Sequence, residues 1–131
     1  MEDRLMAFVP TTDLDRAREF YTAILGLKLV EADGFACVLR SGETMLRVIK
    51  VERLAVQPYT VLGWAVDDLV ERMAELVLLG VEFTRHPGMD QDDLGVWTSP
   101  SGERVAWFAD PDGNTLSLTQ FAAPARIPET A

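Results

Sequence analysis

The sequence predicts an α+β fold made of two tandem modules, each with the order strand–helix–strand–strand–strand. The first observation is an internal repeat, in which the pair Asp13-Leu14 recurs as Asp68-Leu69 before a second helix. The second is an amphipathic pattern after each pair, which ends at a Leu-Gly dipeptide. The third is a series of strand-length apolar runs after each helix, separated by glycine-containing turns.

In the first module, an apolar run opening at Leu5 predicts a strand that leads to Asp13. The short carboxylate of Asp13 is suited to cap the first turn of a helix. Apolar residues then recur at three- and four-residue steps over 15–25, and Gly26 is placed to end the helix in a left-handed conformation. Three strands are predicted to follow, over residues 27–31, 35–40 and 44–51, with turns at Asp33-Gly34 and Ser41-Gly42.

The second module repeats this plan. A strand opening at Thr60 leads to Asp68, the predicted cap of a helix that Gly80 ends. Strands are then predicted over residues 81–85, 95–98, 104–109 and 115–121, with a polar loop over 86–93. The sequence Asp112-Gly113-Asn114 predicts a tight hairpin turn between the last two strands.

The domain boundaries follow from these elements. They place the first module at 1–55, a linker at 56–59, the second module at 60–121 and a loose tail at 122–131. Each module alone is too small to bury a sizeable core. We therefore expect one structural domain that contains both.

The charge balance excludes several partners. The 131 residues include 12 Lys and Arg against 21 Asp and Glu, so the formal net charge is −9. Nucleic acids and anionic membrane surfaces both require a basic patch, so neither is expected as a partner. The single cysteine, Cys37, excludes an internal disulfide framework and a cysteine-built zinc site. With no signal-peptide pattern and no apolar run of membrane-spanning length, a soluble cytoplasmic protein is expected.

The order and spacing of two motifs resemble the vicinal oxygen chelate superfamily. They are Asp13-Leu14…Phe20-Tyr21…Leu25-Gly26 in the first module and Phe108-Ala-Asp110-Pro111-Asp112-Gly113-Asn114 in the second. That group contains glyoxalase I, bleomycin-resistance proteins, fosfomycin-resistance enzymes and extradiol dioxygenases, and the resemblance covers residues 5–121. It implies a mixed sheet curled around a pocket between the modules, with the helices outside, and a homodimer.

The resemblance also implies a divalent metal held by four side chains, from the first and last strand of each module. The matching positions here are Met6, Arg47, Val61 and Ser117. Methionine, arginine and valine are not ligands of hard cations, and one serine hydroxyl is a poor ligand. Shifting any strand by one residue brings no histidine or glutamate to these positions. We therefore expect no metal and no cofactor, and the catalytic residues stay unassigned.

Three other features each have a structural and a functional interpretation. His86, the only histidine, is expected in a surface loop, with a general base or a lone metal ligand as the alternative. The acidic residues Asp90, Asp92 and Asp93 are expected in a solvated loop, with a cation site as the alternative. Cys37 is expected as a small core residue, with a reactive thiol as the alternative.

Arg47 is the most informative departure from the superfamily pattern. By alternation it shares a sheet face with Met45 and Ile49, the face that relatives use for the pocket. A guanidinium there is suited to grip a carboxylate or phosphate of a ligand. The alternative is a structural ion pair with Glu43 or Glu103, or a position at the pocket rim.

Aromatic residues are candidates for the wall of an apolar cleft. By alternation Phe8 shares the pocket face with Met6, whereas Trp64 falls on the face that packs against the helix. Trp97 and Trp107 have no assigned face, and Trp107 is included among the candidates. The predicted ligand-binding residues are Met6, Phe8, Arg47, Val61, Trp107 and Ser117.

The predicted function is metal-independent binding of a small organic molecule in a pocket between the modules, as in the bleomycin-resistance proteins that the chain resembles. The alternative is a glyoxalase I-like lyase or a dioxygenase-like enzyme that uses a divalent metal or a non-standard site, with Glu43 or Glu103 as general base. The substituted ligand positions count against that enzyme. A third alternative is a partner protein with no ligand.

Overall fold

A computed structural model describes residues 1–123, which form two four-stranded sheets and two helices. The predicted α+β fold with two βαβββ modules is confirmed. Part of the predicted tail, residues 124–131, lies outside the described residues. The described residues divide into two compact units: Met1–Leu62 with Ala109–Thr115, and Gly63–Phe108 with residues 116–123. No helix among residues 1–123 is long and apolar enough to cross a membrane.

The first sheet has the strand order β1-β4-β3-β2, in which β1 runs parallel to β4 and the other pairs are antiparallel. One face is buried and carries residues such as Val9, Val48 and Leu39, each 1% exposed or less. The helix that follows β1 contacts β3 and β4 and covers this face. The elements are β1 Met6–Thr11, α1 Leu14–Glu19, β2 Lys28–Ala32, β3 Ala36–Ser41 and β4 Thr44–Lys50.

Both predicted helix caps are confirmed. The carboxylate of Asp13 accepts a 3.1 Å hydrogen bond from the backbone N–H of Arg16, and Asp68 caps the second helix in the same way. Each helix is followed by a glycine with positive φ, 73° at Gly26 and 95° at Gly80. Short-range sequence signals therefore specify where both helices begin and end.

The helix predicted over 15–25 forms, but its second half is not α-helical. The chain widens to a π-helical turn at Phe20–Ile24, closed by a 3.2 Å hydrogen bond from Leu25 N–H to the Phe20 carbonyl. Phe20 and the adjacent Tyr21 are both buried, with ring centroids 5.2 Å apart at 87°. The wider turn allows both neighbouring rings to enter the core.

The second sheet has the strand order β5-β8-β7-β6. Hydrogen bonds from Val61 N–H to the Thr115 carbonyl and from Val66 N–H to the Thr119 carbonyl show that β5 and β8 run in the same direction. This repeats the parallel pairing of β1 and β4. The elements are β5 Leu62–Ala65, α2 Leu69–Leu78, β6 Trp97–Thr98, β7 Arg104–Ala109 and β8 Thr115–Gln120.

The predicted strand over 81–85 does not form. Val81 N–H instead donates to the Leu76 carbonyl and completes the end of α2. Thr84 N–H does donate to the Trp107 carbonyl of β7 at 2.7 Å. The strand that pairs with β7, however, is β6, through Arg104 and Val105 of β7. The second strand of the second module is therefore β6.

Candidate functional site

The face of the first sheet opposite α1, here called the open face, carries two rows of aligned side chains. The cross-strand register places them because paired residues project from the same side of a sheet. The first row is Met6, Met45, Arg40 and Lys28. The second row is Phe8, Arg47, Val38 and Glu31.

Arg47 lies on the open face with Met45 and Ile49, as the alternation predicts. Its cross-strand neighbours are Phe8 on one side and Val38 on the other. Phe8 is 56% exposed, so an aromatic ring is available to a ligand beside the guanidinium.

The predicted structural ion pair of Arg47 is not found in the part of the chain that the structure describes. The ion pairs there are Arg16–Asp112 and Arg72–Glu75. The Nε of Arg47 is buried and has no hydrogen-bond acceptor. An unpaired buried polar group lowers stability, so this side chain is not explained by a structural role.

The positive charge of Arg47 nevertheless influences the carboxyl group of Asp33 in the β2–β3 turn. Backbone N–H groups of Phe35 and Ala36 donate to the Asp33 carboxylate and lower the pKa of that carboxyl, and the positive charge of Arg47 lowers it slightly further. No ion pair joins Arg47 and Asp33 among the described side chains.

The superfamily metal positions do not fit a divalent cation. Met6 offers a thioether, and Arg47 places a positive charge on the same face of the first sheet. Val61, just before β5, offers no donor atom, and Ser117 in β8 offers one buried hydroxyl. Among residues 1–123, no group of three or more His, Cys, Asp or Glu side chains is placed to hold a metal ion.

The second sheet brings together two aromatic candidates, Trp97 and Trp107, whose faces the sequence alone did not assign. Trp97 pairs with Val105, so it projects from the same face as Trp107, two residues further along β7. The two indole rings lie 6.4 Å apart, and the His86 ring packs edge-on against Trp107 at 5.0 Å. The sequence holds part of this information, because Val105 and Trp107 are two residues apart on one strand and so share a face. Only the pairing of Val105 with Trp97 adds the second indole ring to that face.

Ser117 lies on this same face of the second sheet. Its neighbours Leu116 and Leu118 are buried with Ala106 and Phe108, so Ser117 and Trp107 project from the opposite side. The structure therefore groups Met6, Phe8 and Arg47 on the first sheet, and Trp107 and Ser117 on the second, as two separate sets. Val61 precedes β5 and is 37% exposed.

The remaining candidates have structural roles. His86 lies in a loop, where its backbone N–H donates to the Gln91 side chain at 2.7 Å. Asp92 accepts hydrogen bonds from Leu94 and Val96 N–H and so shapes the acidic loop. Cys37 is 3% exposed, and burial raises the pKa of its thiol. Its reactivity is correspondingly low.

A network of polar side chains joins the hairpin turn after β7 to the first module, within the first compact unit. The Asp112 carboxylate accepts from the hydroxyls of Thr11 and Thr12, from Thr12 N–H and from Arg16. Asn114 donates to the Pro10 carbonyl at 2.9 Å. Sequence reasoning recognised this segment as a turn and missed its role as an anchor for β1.

Comparison with protein families supports the fold. The family model described as "Glyoxalase/Bleomycin resistance protein/Dioxygenase superfamily" matches residues 3–118. No curated protein shows significant sequence similarity to the chain.

Several solved structures share the fold. A bleomycin resistance determinant encoded on transposon Tn5 is 24% identical, with a TM-score of 0.71, covering 92% of this chain and 99% of that one. TnmS3, an antibiotic-binding protein from Streptomyces sp. CB03234, is 23% identical, with a TM-score of 0.69 and coverage of 93% and 98%. Lactoylglutathione lyase from Agrobacterium tumefaciens is 19% identical, with a TM-score of 0.71 and coverage of 92% and 94%. At these identities the likeness establishes the fold.

Proposed function

We propose that this chain, which belongs to the Glyoxalase/Bleomycin resistance protein/Dioxygenase superfamily, binds a small organic molecule without a metal. The proposed binding surface is the open face of its first sheet. The observation that carries the proposal is the unpaired Nε of Arg47, buried on that face beside the exposed ring of Phe8. Two structural relatives, a bleomycin resistance determinant and an antibiotic-binding protein, are named for resistance or binding.

The open face supports binding through its mixture of groups. Phe8, Met6 and Met45 offer apolar and polarisable surface, and Arg47 offers five N–H donors in a fixed planar arrangement. Small-molecule sites commonly combine apolar walls with a few polar groups that set orientation. In this arrangement Arg47 orients the ligand, and the apolar side chains supply contact area.

Metal independence is supported by the chemistry of the donor set. A cation at Arg47 repels a divalent metal, and the thioether of Met6 is a soft ligand that suits Cu(I) better than Mg²⁺ or Mn²⁺. No step of a chelate mechanism is assigned to these residues. The proposed activity is therefore binding, as a sequestering or sensing protein.

The direct test is a thermal-shift screen of the purified protein with aromatic and charged compounds, bleomycin included, alongside metal analysis. A rise in melting temperature that persists after EDTA treatment is expected for at least one compound class. Stoichiometric Zn, Ni, Mn or Fe in the purified protein would overturn metal independence. The absence of a shift with every compound would overturn ligand binding and favour the partner-protein alternative.

Arg47→Met tests the site itself. The substitution removes the guanidinium and keeps a flexible apolar side chain, so the melting-temperature shift produced by the best compound should fall. Arg53→Met is the matched control, since Arg53 is exposed and follows β4 outside the sheet. Equal shifts in both variants would place the ligand elsewhere.

The proposal includes a cytoplasmic homodimer. The homodimer is supported by apolar surface at an end strand of the first sheet: Leu5, just before β1, is 74% exposed, and Phe8 in β1 is 56% exposed. Sedimentation velocity tests the association: a mass near twice 14.5 kDa is expected, and a monomer across the accessible concentration range contradicts it.

A further inference from the structure

The open face changes chemistry from one edge of the first sheet to the other. On the β1 and β4 side, the first row begins with Met6 and Met45. On the β3 and β2 side, the same row continues with Arg40 and Lys28. Adjacent strands lie about 4.8 Å apart, so this four-residue row spans about 14 Å. The row is an amphipathic strip with one apolar end and one cationic end.

The cationic end contains an unrelieved repulsion. Lys28 and Arg40 are directly opposite each other on neighbouring strands, and like charges in this arrangement are destabilising. Both side chains are exposed. Glu31 lies in the adjacent row, yet neither Lys28 nor Arg40 forms an ion pair within residues 1–123.

A cleft lies beside this cationic pair. Its volume is about 200 Å³, and it is lined by Leu25–Lys28 and Arg40–Gly42. The lining contains two cations and no acidic residue. Complete ligand sites usually measure about 300–1,000 Å³, so this cleft has room for a single charged group of a larger molecule.

Arg47 continues the positive surface toward the apolar end. It stands diagonal to Arg40 across the β3–β4 pair, and diagonal neighbours are about 7–8 Å apart. The protein carries a net charge of −9. Three cationic residues nevertheless lie on the open face beside a single acidic neighbour there, Glu31; they are Lys28, Arg40 and Arg47. Charge complementarity at this face therefore favours an anion.

We infer that the ligand of the open face is an amphipathic anion. This inference rests on the proposed function and names the class of molecule that the site selects. The apolar body lies over Met6, Met45 and Phe8. The carboxylate, sulfonate or phosphate group binds Arg40 bidentately and Lys28 as a point charge, which relieves their mutual repulsion.

Three naphthalene derivatives with the same ring test the charge preference: 2-naphthoate, 2-naphthamide and 2-naphthylmethylammonium. Isothermal titration calorimetry at low ionic strength measures their dissociation constants on the full chain. We expect 2-naphthoate to bind at least about tenfold more tightly than 2-naphthamide, and the ammonium compound to bind most weakly. We also expect the preference for 2-naphthoate to shrink as salt is raised.

Arg40→Gln locates the anion, and Arg53→Gln is the control for loss of one positive charge. Arg40→Gln should remove most of the preference for 2-naphthoate and leave the 2-naphthamide affinity unchanged, whereas Arg53→Gln should change neither. Equal affinities for all three compounds, or equal effects of the two variants, would overturn the inference and leave the proposed function standing. The absence of binding by all three compounds would also overturn the inference, whereas the proposed function fails only if the thermal-shift screen finds no ligand.

Discussion

The hydroxyl of Tyr21 donates a 2.7 Å hydrogen bond to Oδ2 of Asp110, although 89 positions separate the two residues in the chain. Tyr21 is fully buried and Asp110 is 5% exposed. Burial raises the pKa of the Tyr21 phenol, and the neighbouring Asp110 carboxylate raises it further. This contact ties the π-helical turn to the hairpin that follows β7 within the first compact unit.

Removing this hydroxyl should cost stability. In Tyr21→Phe, Oδ2 of Asp110 keeps the 2.8 Å bond from Asn114 and loses the phenol. We expect a loss of about 1–3 kcal/mol in the free energy of unfolding, measured by urea denaturation. Tyr59→Phe is the control, since Tyr59 is 60% exposed and should change the free energy little. Equal effects of the two substitutions would show that the buried bond is not stabilising.

Asp112 should make stability depend on pH. Burial acts to raise its pKa, but hydrogen bonds from Thr11 and Thr12 and the charge of Arg16 outweigh burial and hold the pKa below its usual value. The ionised carboxylate therefore stabilises the fold above about pH 4, and this contribution disappears as the pH falls through the lowered folded-state pKa. The difference in unfolding free energy between wild type and Asp112→Asn should be largest near neutral pH and should shrink in acid. A constant difference from pH 7 to pH 3 would contradict this account.

Relieving the repulsion between Lys28 and Arg40 should stabilise the free protein. Lys28→Gln removes one of two like charges that face each other across β2 and β3. We expect a gain of about 0.2–1 kcal/mol at low ionic strength, fading as salt is added. Thermal unfolding at several salt concentrations measures it. A loss of stability in Lys28→Gln would show that Lys28 has a stabilising partner.

Arg47→Met should leave the fold intact and be neutral or stabilising in the absence of ligand. The buried Nε of Arg47 has no acceptor, so its removal breaks no hydrogen bond, and the methionine side chain can fill the space between Phe8 and Val38. Urea denaturation of wild type and variant measures the change. A loss above about 2 kcal/mol would identify Arg47 as a structural residue and contradict its assignment to ligand binding.

The sequence predicts those parts of the fold that depend on neighbouring residues. The caps at Asp13 and Asp68, the left-handed glycines Gly26 and Gly80, and the turn before Asn114 each follow from chemistry within a few residues. The strand β7, Arg104–Ala109, is also predicted with its observed bounds.

Features that depend on distant pairing were missed or wrong. The run 81–85 alternates like a strand, but the neighbouring strand edge is used by Trp97 and Thr98. The bond from Thr11 to Asp112 spans 101 residues, so no local pattern reveals it. The row from Met6 to Lys28 likewise needs three strand registers. Alternation alone placed Arg47 on the correct face, and the arrangement of its neighbours required the structure.

The most direct test of the central claim is calorimetric titration of 2-naphthoate into EDTA-treated wild type and Arg47→Met. We expect saturable binding to the EDTA-treated wild type, and a dissociation constant raised at least about tenfold in Arg47→Met, which corresponds to about 1.4 kcal/mol. Binding that appears only after a divalent metal is restored, or that is equally tight in Arg47→Met, would contradict metal-independent binding on the open face of the first sheet.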